Sequence, residues 1–351
     1  MTALVAFIVV FGAIVFVHEL GHFLAAKAVG VRPFEFAIGF GPALWRRHWG
    51  ETTYYIRLIP LGGYVRLLGM DPLEEEGGDG KESRQNPEEI DHPRSFARKP
   101  LWARLFIIAA GPLMNFIFAA LLFMVLAATI AVPLTIYRVE PNSPAAEAGL
   151  QAGDILLSVA GEPVDEPRDV NRIVNPRPGV PLEVRLKRDG REMTVTVTPR
   201  PLHGSKVALL GVQLGGQPRL SGFAALKAGI VQTWYTTLGI ITALGRMILR
   251  QAPADISGPI GIFQLVGESA RQGLPYVVSL AALLNVNLGL INLLPIPILD
   301  GGWLAVFVFE AIRRRPLRPE QRGFAQVVGL VLIAMLMLFA TYKDIVRLVG
   351  L

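Results

Sequence analysis

Apolar residues gather into four long stretches separated by polar sequence. The first covers about residues 2–27, the second lies within 105–132, the third covers about 277–299 and the fourth about 323–342. Each approaches the ~20 residues a helix needs to cross a hydrocarbon core. The pattern predicts a polytopic α-helical membrane protein with about four transmembrane helices. Residues 223–249 are ambiguous. The run from Ala228 to Gly245 is uncharged, but Gln232, Thr233, Thr236 and Thr237 dilute it, which suits either a span or an interfacial helix. Residues 252–274 carry Pro253, Gly258, Pro259, Gly261, Gly267 and Gly273. They read as a broken or re-entrant segment, tolerated in a bilayer only beside protein or water.

The polar stretches alternate differently. Phe34–Ile38, Thr52–Leu58 and Tyr64–Leu68 read as strands punctuated by Gly39, Gly41, Gly50, Gly62 and Gly63. Residues 71–95 are acidic and carry Pro and Gly, the composition of a flexible loop. Residues 134–216 predict a separate α+β module. Its strands are Leu134–Val139, Ile155–Val159, Leu182–Lys187 and Met193–Val197, with a hairpin turn at Arg188–Arg191 and short helices at Pro144–Ala148 and Pro167–Val174.

Composition supports a membrane protein with a soluble part. Of the 351 residues 52% are hydrophobic and 18% charged, against roughly 25% charged in an average soluble domain. The net charge of +6 would ordinarily suggest nucleic acid, but the basic residues flank the apolar stretches. Lys27 and Arg32 follow the first; Arg98, Lys99 and Arg104 precede the second; Arg313, Arg314, Arg315, Arg318 and Arg322 lie between the third and fourth. The positive-inside rule makes both loops cytoplasmic, and puts the 134–216 module and both termini on the opposite side. No nucleic-acid partner is expected. Cysteine is absent, which excludes disulfides and thiol chemistry and leaves His, Asp and Glu for any metal. The N-terminus has no positive region before its apolar run and no small-residue cleavage site, so a removed signal peptide is not expected.

Residues 2–17 carry no charge, and then His18, Glu19 and His22 interrupt the apolar run. Ionisable groups inside a span are costly and mark function. Two histidines four apart share a helix face, and His-Glu-x-x-His is the spacing of a zinc site with its own general base. A catalytic zinc takes three protein ligands and keeps one position open. Asp300, which ends the uncharged run Leu274–Leu299, is the best candidate for the third; Glu268 and Glu310 are weaker alternatives, and His48, His92 and His203 lie in polar segments. His18 would sit about 24 Å along the first helix, near its cytoplasmic end. Asp300 reaches the same depth only if both spans run the same way. That requires a single return crossing between them, so 223–249 should not cross fully.

These residues resemble the site-2-type intramembrane zinc metalloproteases, and among them the bacterial regulator-of-sigma-E protease branch. The resemblance covers nearly the whole chain: Val17–Lys27, Phe40–Pro42, Ile59–Val65, Ser95–Pro100, Ala110–Asn115, Ser257–Ile260 and Asn287–Gly301. It implies His18, His22 and Asp300 as zinc ligands, Glu19 as catalytic base, and Asn292, Pro295 and Pro297 as substrate-handling residues. It implies that 34–70 is a membrane-associated β-sheet able to hold an unwound substrate by strand addition. The run Ser143–Leu156, with Leu210-Gly211-Val212 as a carboxylate-loop counterpart, resembles a PDZ domain. One such domain is present where many members of the branch carry two. With no basic anchor at that loop, a steric filter is favoured over a binder of chain ends.

The expected organisation is therefore a first transmembrane helix in 1–33, the sheet in 34–70, a cytoplasmic loop in 71–100, a second transmembrane helix in 101–133 and the PDZ domain in 134–216. An interfacial and re-entrant segment in 217–274, a third transmembrane helix in 275–302, a basic cytoplasmic loop in 303–322 and a fourth transmembrane helix with its tail in 323–351 follow. The resemblance implies cleavage of single-span membrane proteins, pre-trimmed anti-sigma factors or remnant signal peptides, in the bacterial inner membrane. The rival class is a catalytically silent PDZ-bearing scaffold or a zinc carrier. Oligomeric state is not legible.

Overall fold

The computed structural model describes residues 3–70, 92–201, 207–249, 251, 257–315 and 317–349. The acidic stretch 71–91 and His203 lie outside them. In chain order, α1 (Ala3–Ala28) is followed by β1 (Pro33–Trp49), β2 (Thr52–Leu67) and α2 (Leu101–Thr129). Then come β3 (Val132–Val139), α3 (Pro144–Glu147), β4 (Ile155–Val159), β5 (Glu162–Pro163), α4 (Pro167–Val174), β6 (Leu182–Arg188) and β7 (Arg191–Val197). They lead to β8 (Arg200–Pro201), β9 (Ala208–Leu209) and β10 (Val212–Gln217). The last helices are α5 (Gly222–Ile248), α6 (Pro259–Gln272), α7 (Leu274–Leu293), α8 (Asp300–Arg313) and α9 (Pro319–Val349). The chain divides into two compact units, one of Met1–Met124 with Leu226–Leu351, the other of Val125–Ala225.

In the first unit, α1, α2, α7 and α9 are long and apolar enough to cross a membrane. α1 lies at the centre. Its Ala25 and Ala26 pack with Ile107 and Ile108 of α2 and with Trp303 and Phe307 of α8, while Val10 and Ile14 pack on Val277 of α7. α1 and α2 meet backbone to backbone at Gly21, where a Cβ would fall 2.3 Å from the Ala110 carbonyl oxygen. Small residues allow such approach between apolar helices, where dispersion and close contact replace the hydrophobic effect.

The expectation for the third span is corrected here. The span expected over 275–302 is not one helix: α7 stops at Leu293, residues 294–299 are non-helical, and Asp300 opens α8 instead of ending a span. Pro295 and Pro297 cause the break. Proline lacks the N–H that the helix ladder needs and drives the preceding residue into extended backbone, and Leu294 is extended at ψ 142. The expected 303–322 loop is accordingly helical as far as Arg313 and again from Pro319. In the segment expected to be broken or re-entrant, Pro253 lies outside the described residues, and Gly258 and Gly273 bound the regular helix α6 over 259–272. Its Gly261 and Gly267 are buried against neighbours, so they serve close packing and leave the helix intact.

Near its C-terminal end α9 carries the buried Asp344, whose carboxylate accepts the backbone N–H groups of Gly258 (3.0 Å) and Gly261 (2.8 Å) at the start of α6. A helix N-terminus leaves its first N–H groups without intrahelical partners, and this anion from another helix takes two of them.

β1 and β2 fold into one sheet of four segments. Glu35–Ile38 is paired on one side with Thr53–Ile56 and on the other with Gly63–Arg66, while Ala43–Trp49 pairs with Thr52–Arg57. The outer segments are thus Ala43–Trp49 and Gly63–Leu67. The buried Arg57 ties the sheet together, donating to the Gly41 carbonyl and to the Tyr64 hydroxyl (both 2.8 Å), and Tyr64 donates to Glu35 (3.2 Å). Burial and the Glu35 charge push the Tyr64 hydroxyl up despite Arg57, which keeps it a neutral donor.

The second unit is a sheet in the order β10-β3-β4-β6-β7 with β5 paired to β4. Leu134, Ile136, Leu156, Val159, Ile173, Val184, Leu186 and Val197 form its core. Each fully buried aliphatic side chain contributes roughly 1.5–3 kcal/mol. Ser143 caps α3 by accepting from the Ala146 N–H. Asp154, 1% exposed, accepts from Arg188 and from the Gln151 N–H. Burial alone would raise that carboxyl, but Arg188 and the N–H outweigh it and hold it below the usual range.

Candidate metal centre

His18, Glu19 and His22 all lie within α1 and are buried. One helical turn separates the histidines, which therefore share a face; their rings stand nearly perpendicular, at 84°. Asp300 reaches them from the first residue of α8. Its Oδ2 lies 3.2 Å from His18 Nε2 and 3.4 Å from His22 Nε2, and the two Nε2 atoms are 3.3 Å apart. Ligands held at the ~2.0–2.1 Å typical of zinc in tetrahedral geometry stand about 3.3 Å from one another. The three atoms therefore form one face of a tetrahedron of the right size. Asp300 Oδ2 is buried and faces only the two imidazole nitrogens, neither of which forms a regular hydrogen bond to it. Such a carboxylate oxygen is costly to leave unsatisfied, and a cation held among the three atoms relieves it. The two-imidazole, one-carboxylate donor set also suits zinc.

The ring of His22 is held from behind. Its Nδ1 lies 2.9 Å from the carbonyl oxygen of Ile107 in α2. Donation of Nδ1–H to that oxygen leaves the Nε2 lone pair facing Asp300, the usual arrangement behind a metal-binding histidine. Between the rings and α2 there is room for no side chain: a Cβ at Gly111 would fall 2.2 Å from His22 Nε2 and 2.9 Å from His18 Cε1. Glu19 borders the sheet. A Cβ at Gly63, the first residue of the outer segment of β2, would fall 2.9 Å from Glu19 Cγ. That strand thus runs past Glu19 with only backbone in between.

Asn292 closes the last turn of α7, and Pro295 and Pro297 lie in the non-helical stretch that delivers Asp300. In this stretch Ile298 has φ 89, a strained conformation for a β-branched residue, of a kind that clusters at functional sites. The weaker ligand candidates lie elsewhere. Glu268 is exposed, and its carboxylate accepts from Gln272. Glu310 is buried but accepts from the Leu317 N–H (2.8 Å) and Arg322 (2.6 Å). His48 and His92 are exposed, beside Thr53 and the Arg94 N–H respectively. Sequence reasoning gave no role to Ile107, Gly111 or Gly63. Only the spacing of four between 107 and 111 hints that both lie on the face of α2 turned to the histidines.

The sequence profile described as Peptidase family M50 matches residues 6–336. The chain belongs to this family of peptidases. Among its relatives, the zinc metalloprotease RasP of Geobacillus kaustophilus is 34% identical, covering 98% of this chain and 98% of the relative. The regulator of sigma-W protease RasP of Bacillus subtilis is 33% identical over 99% of each chain. Among solved structures, the PDZ domain of an SdrC-like protein from Listeria monocytogenes aligns with 24% of this chain and 90% of its own, at 15% identity and a TM-score of 0.23. With its four apolar helices, this M50 member is a membrane protein.

Proposed function

We propose that the chain is an intramembrane zinc endopeptidase that hydrolyses peptide bonds within transmembrane segments of single-span proteins. The observation that carries this reading is the convergence of His18 Nε2, His22 Nε2 and Asp300 Oδ2 within 3.4 Å, next to a buried glutamate on an apolar helix. These three residues hold the zinc. Bound there, zinc supplies Lewis acidity that makes water nucleophilic near neutral pH. Glu19, one residue from His18, takes the proton from the attacking water and returns it to the leaving amine. Asn292 offers its amide to a substrate carbonyl. Pro295 and Pro297 keep the backbone ahead of Asp300 unwound, and the strain at Ile298 is a feature of that same stretch.

A helical substrate hides its peptide bonds, so it must be held extended while it is cut. The outer segment Gly63–Leu67 supports strand addition, because it passes Glu19 at Gly63 and among the described residues pairs only with β1. The second unit we read as a PDZ module that filters substrates by ectodomain size, admitting those already trimmed. The basic residues after α1 and between α8 and α9 favour a site near the cytoplasmic face of the inner membrane, with the PDZ module on the far side. The Bacillus subtilis relative is named for regulating sigma-W, which supports anti-sigma factors as one substrate class; remnant signal peptides, which are likewise single apolar segments, are the other class we propose.

The test is Glu19→Gln in the full chain, assayed on a single-span substrate in bilayers. Loss of a general base costs about 10²–10⁴-fold in rate, so cleavage should fall at least that far while bound zinc stays at the wild-type level. Undiminished cleavage would remove Glu19 from the mechanism. Stoichiometric zinc with no cleavage by the wild type would favour a carrier.

A further inference from the structure

We infer that Asn115 is a positioning residue for His18: its side-chain oxygen accepts the Nδ1 proton of that ring and so directs the Nε2 lone pair at the metal. The inference rests on reading His18, His22 and Asp300 as the ligand set. Asn115 is 0% exposed in the middle of the apolar helix α2, where an amide must find polar partners. Its amide lies against His18, with Nδ2 at 3.1 Å from Nδ1, and its Oδ1 has no partner.

The proton count decides which end of the amide serves. A neutral imidazole carries one N–H. If Nδ2 donates to Nδ1, that proton resides on Nε2, the atom facing Asp300 and His22, and no lone pair remains for a metal. A half-turn of the amide exchanges two atoms of nearly equal size. Oδ1 then receives Nδ1–H, and Nε2 becomes a ligand. The turn breaks no hydrogen bond of Oδ1, which has none.

The second histidine gives independent support. The Nδ1 of His22 meets the Ile107 carbonyl at 2.9 Å. Residues 107, 111 and 115 are spaced by four and share one face of α2. That face offers an acceptor to His22, no side chain at Gly111 where the rings pass, and an amide to His18. Both rings are thus set in their metal-binding tautomer from one helix. Asn115 ends the Ala110–Asn115 run that carried part of the resemblance without a role.

The experiment measures zinc affinity of the full chain in nanodiscs by competition with a fluorescent chelator, so it needs no turnover. Asn115→Leu keeps the size but removes the acceptor, and should weaken zinc about 10–100-fold, as loss of such an orienting partner does. Asn115→Asp keeps an acceptor and cannot donate when ionised, and should stay within a few-fold of wild type. A residue that mattered only for packing would give the opposite order, because a buried carboxylate is worse tolerated than leucine. Wild-type affinity in Asn115→Leu, or equal losses in both variants, overturns the inference. Asn115→Ala replaces the leucine variant if that one does not fold. Asp300→Ala separates the two readings. If it binds zinc like wild type, the ligand set is wrong; if it loses zinc while Asn115→Leu does not, only the role of Asn115 falls.

Discussion

Gly111 is the residue on which the geometry of the centre leans most heavily without contributing an atom to it. A methyl group there would sit 2.2 Å from His22 Nε2 and 2.5 Å from its Cε1, well inside contact distance. Since Ala is the better helix former, Gly111→Ala should leave α2 helical and even favour it. The ring of His22 must then rotate away from Asp300. Zinc affinity is expected to fall by about tenfold or more, as for other disturbances of ligand orientation, with helix content by circular dichroism unchanged. Wild-type affinity in this variant would mean that His22 accommodates the methyl group without leaving the metal, and that the absence of a side chain at 111 is not needed by the centre. At this scale the sequence was legible where chemistry clashed with its setting. His18, Glu19, His22 and Asp300 are polar groups in or beside uncharged runs, and that contradiction can be read without a fold. The Ile107 carbonyl, Gly111 and Gly63 leave no such mark. A backbone oxygen is the same at every residue, and a missing side chain signals only once its neighbours are known.

The helices show the same division at the scale of elements. The four long apolar helices were legible because each is a long apolar stretch of the kind a bilayer would demand. The break between α7 and α8 was not, because hydropathy continues through Leu293–Leu299 and only the backbone chemistry of two prolines decides it. The union of α9 with α6 was equally hidden. Asp344 reads in sequence as one charge near a helix end, yet it accepts two N–H groups of the Gly258–Gly261 turn at 3.0 and 2.8 Å. A Cβ at Gly258 would meet the backbone of Ala340 at 2.7 Å, so the helices touch there and water cannot easily replace the carboxylate. Asp344→Ala should cost on the order of 1–3 kcal/mol for each donor left unpaired. A lower melting temperature in nanodiscs and faster proteolysis near 344 are expected, with zinc affinity little changed. An unaltered melting temperature would show that water or lipid satisfies those N–H groups.

For the whole molecule, the question is what the second unit does for the first. Between α4 and β10 it has a cavity of about 110 Å³ lined by Glu140, Val170, Asn171, Leu210, Val212 and Leu214 among others. β10 is an edge strand of the sheet, the element to which an added peptide strand would pair. Yet none of the described residues lining the cavity is basic, and Glu140 would repel the carboxylate of a chain end. The lining favours exclusion by size over capture of a terminus. The unit has its own core, and its entry and exit adjoin, since Val132 pairs with Gln217. It can therefore be cut out at these paired positions and the ends joined by a short Gly-Ser linker without stretching the remainder. Excision of 133–216 should leave zinc content and the cleavage of pre-trimmed substrates near the wild-type level. It should raise kcat/KM for substrates with intact ectodomains by about tenfold or more, which corresponds to removal of a barrier of ~1.4 kcal/mol. Measuring both substrates side by side in reconstituted bilayers decides the matter. If the excised chain still discriminates as the full chain does, selection by ectodomain size resides elsewhere. If it loses activity on both substrates, the module recruits substrates and does not exclude them.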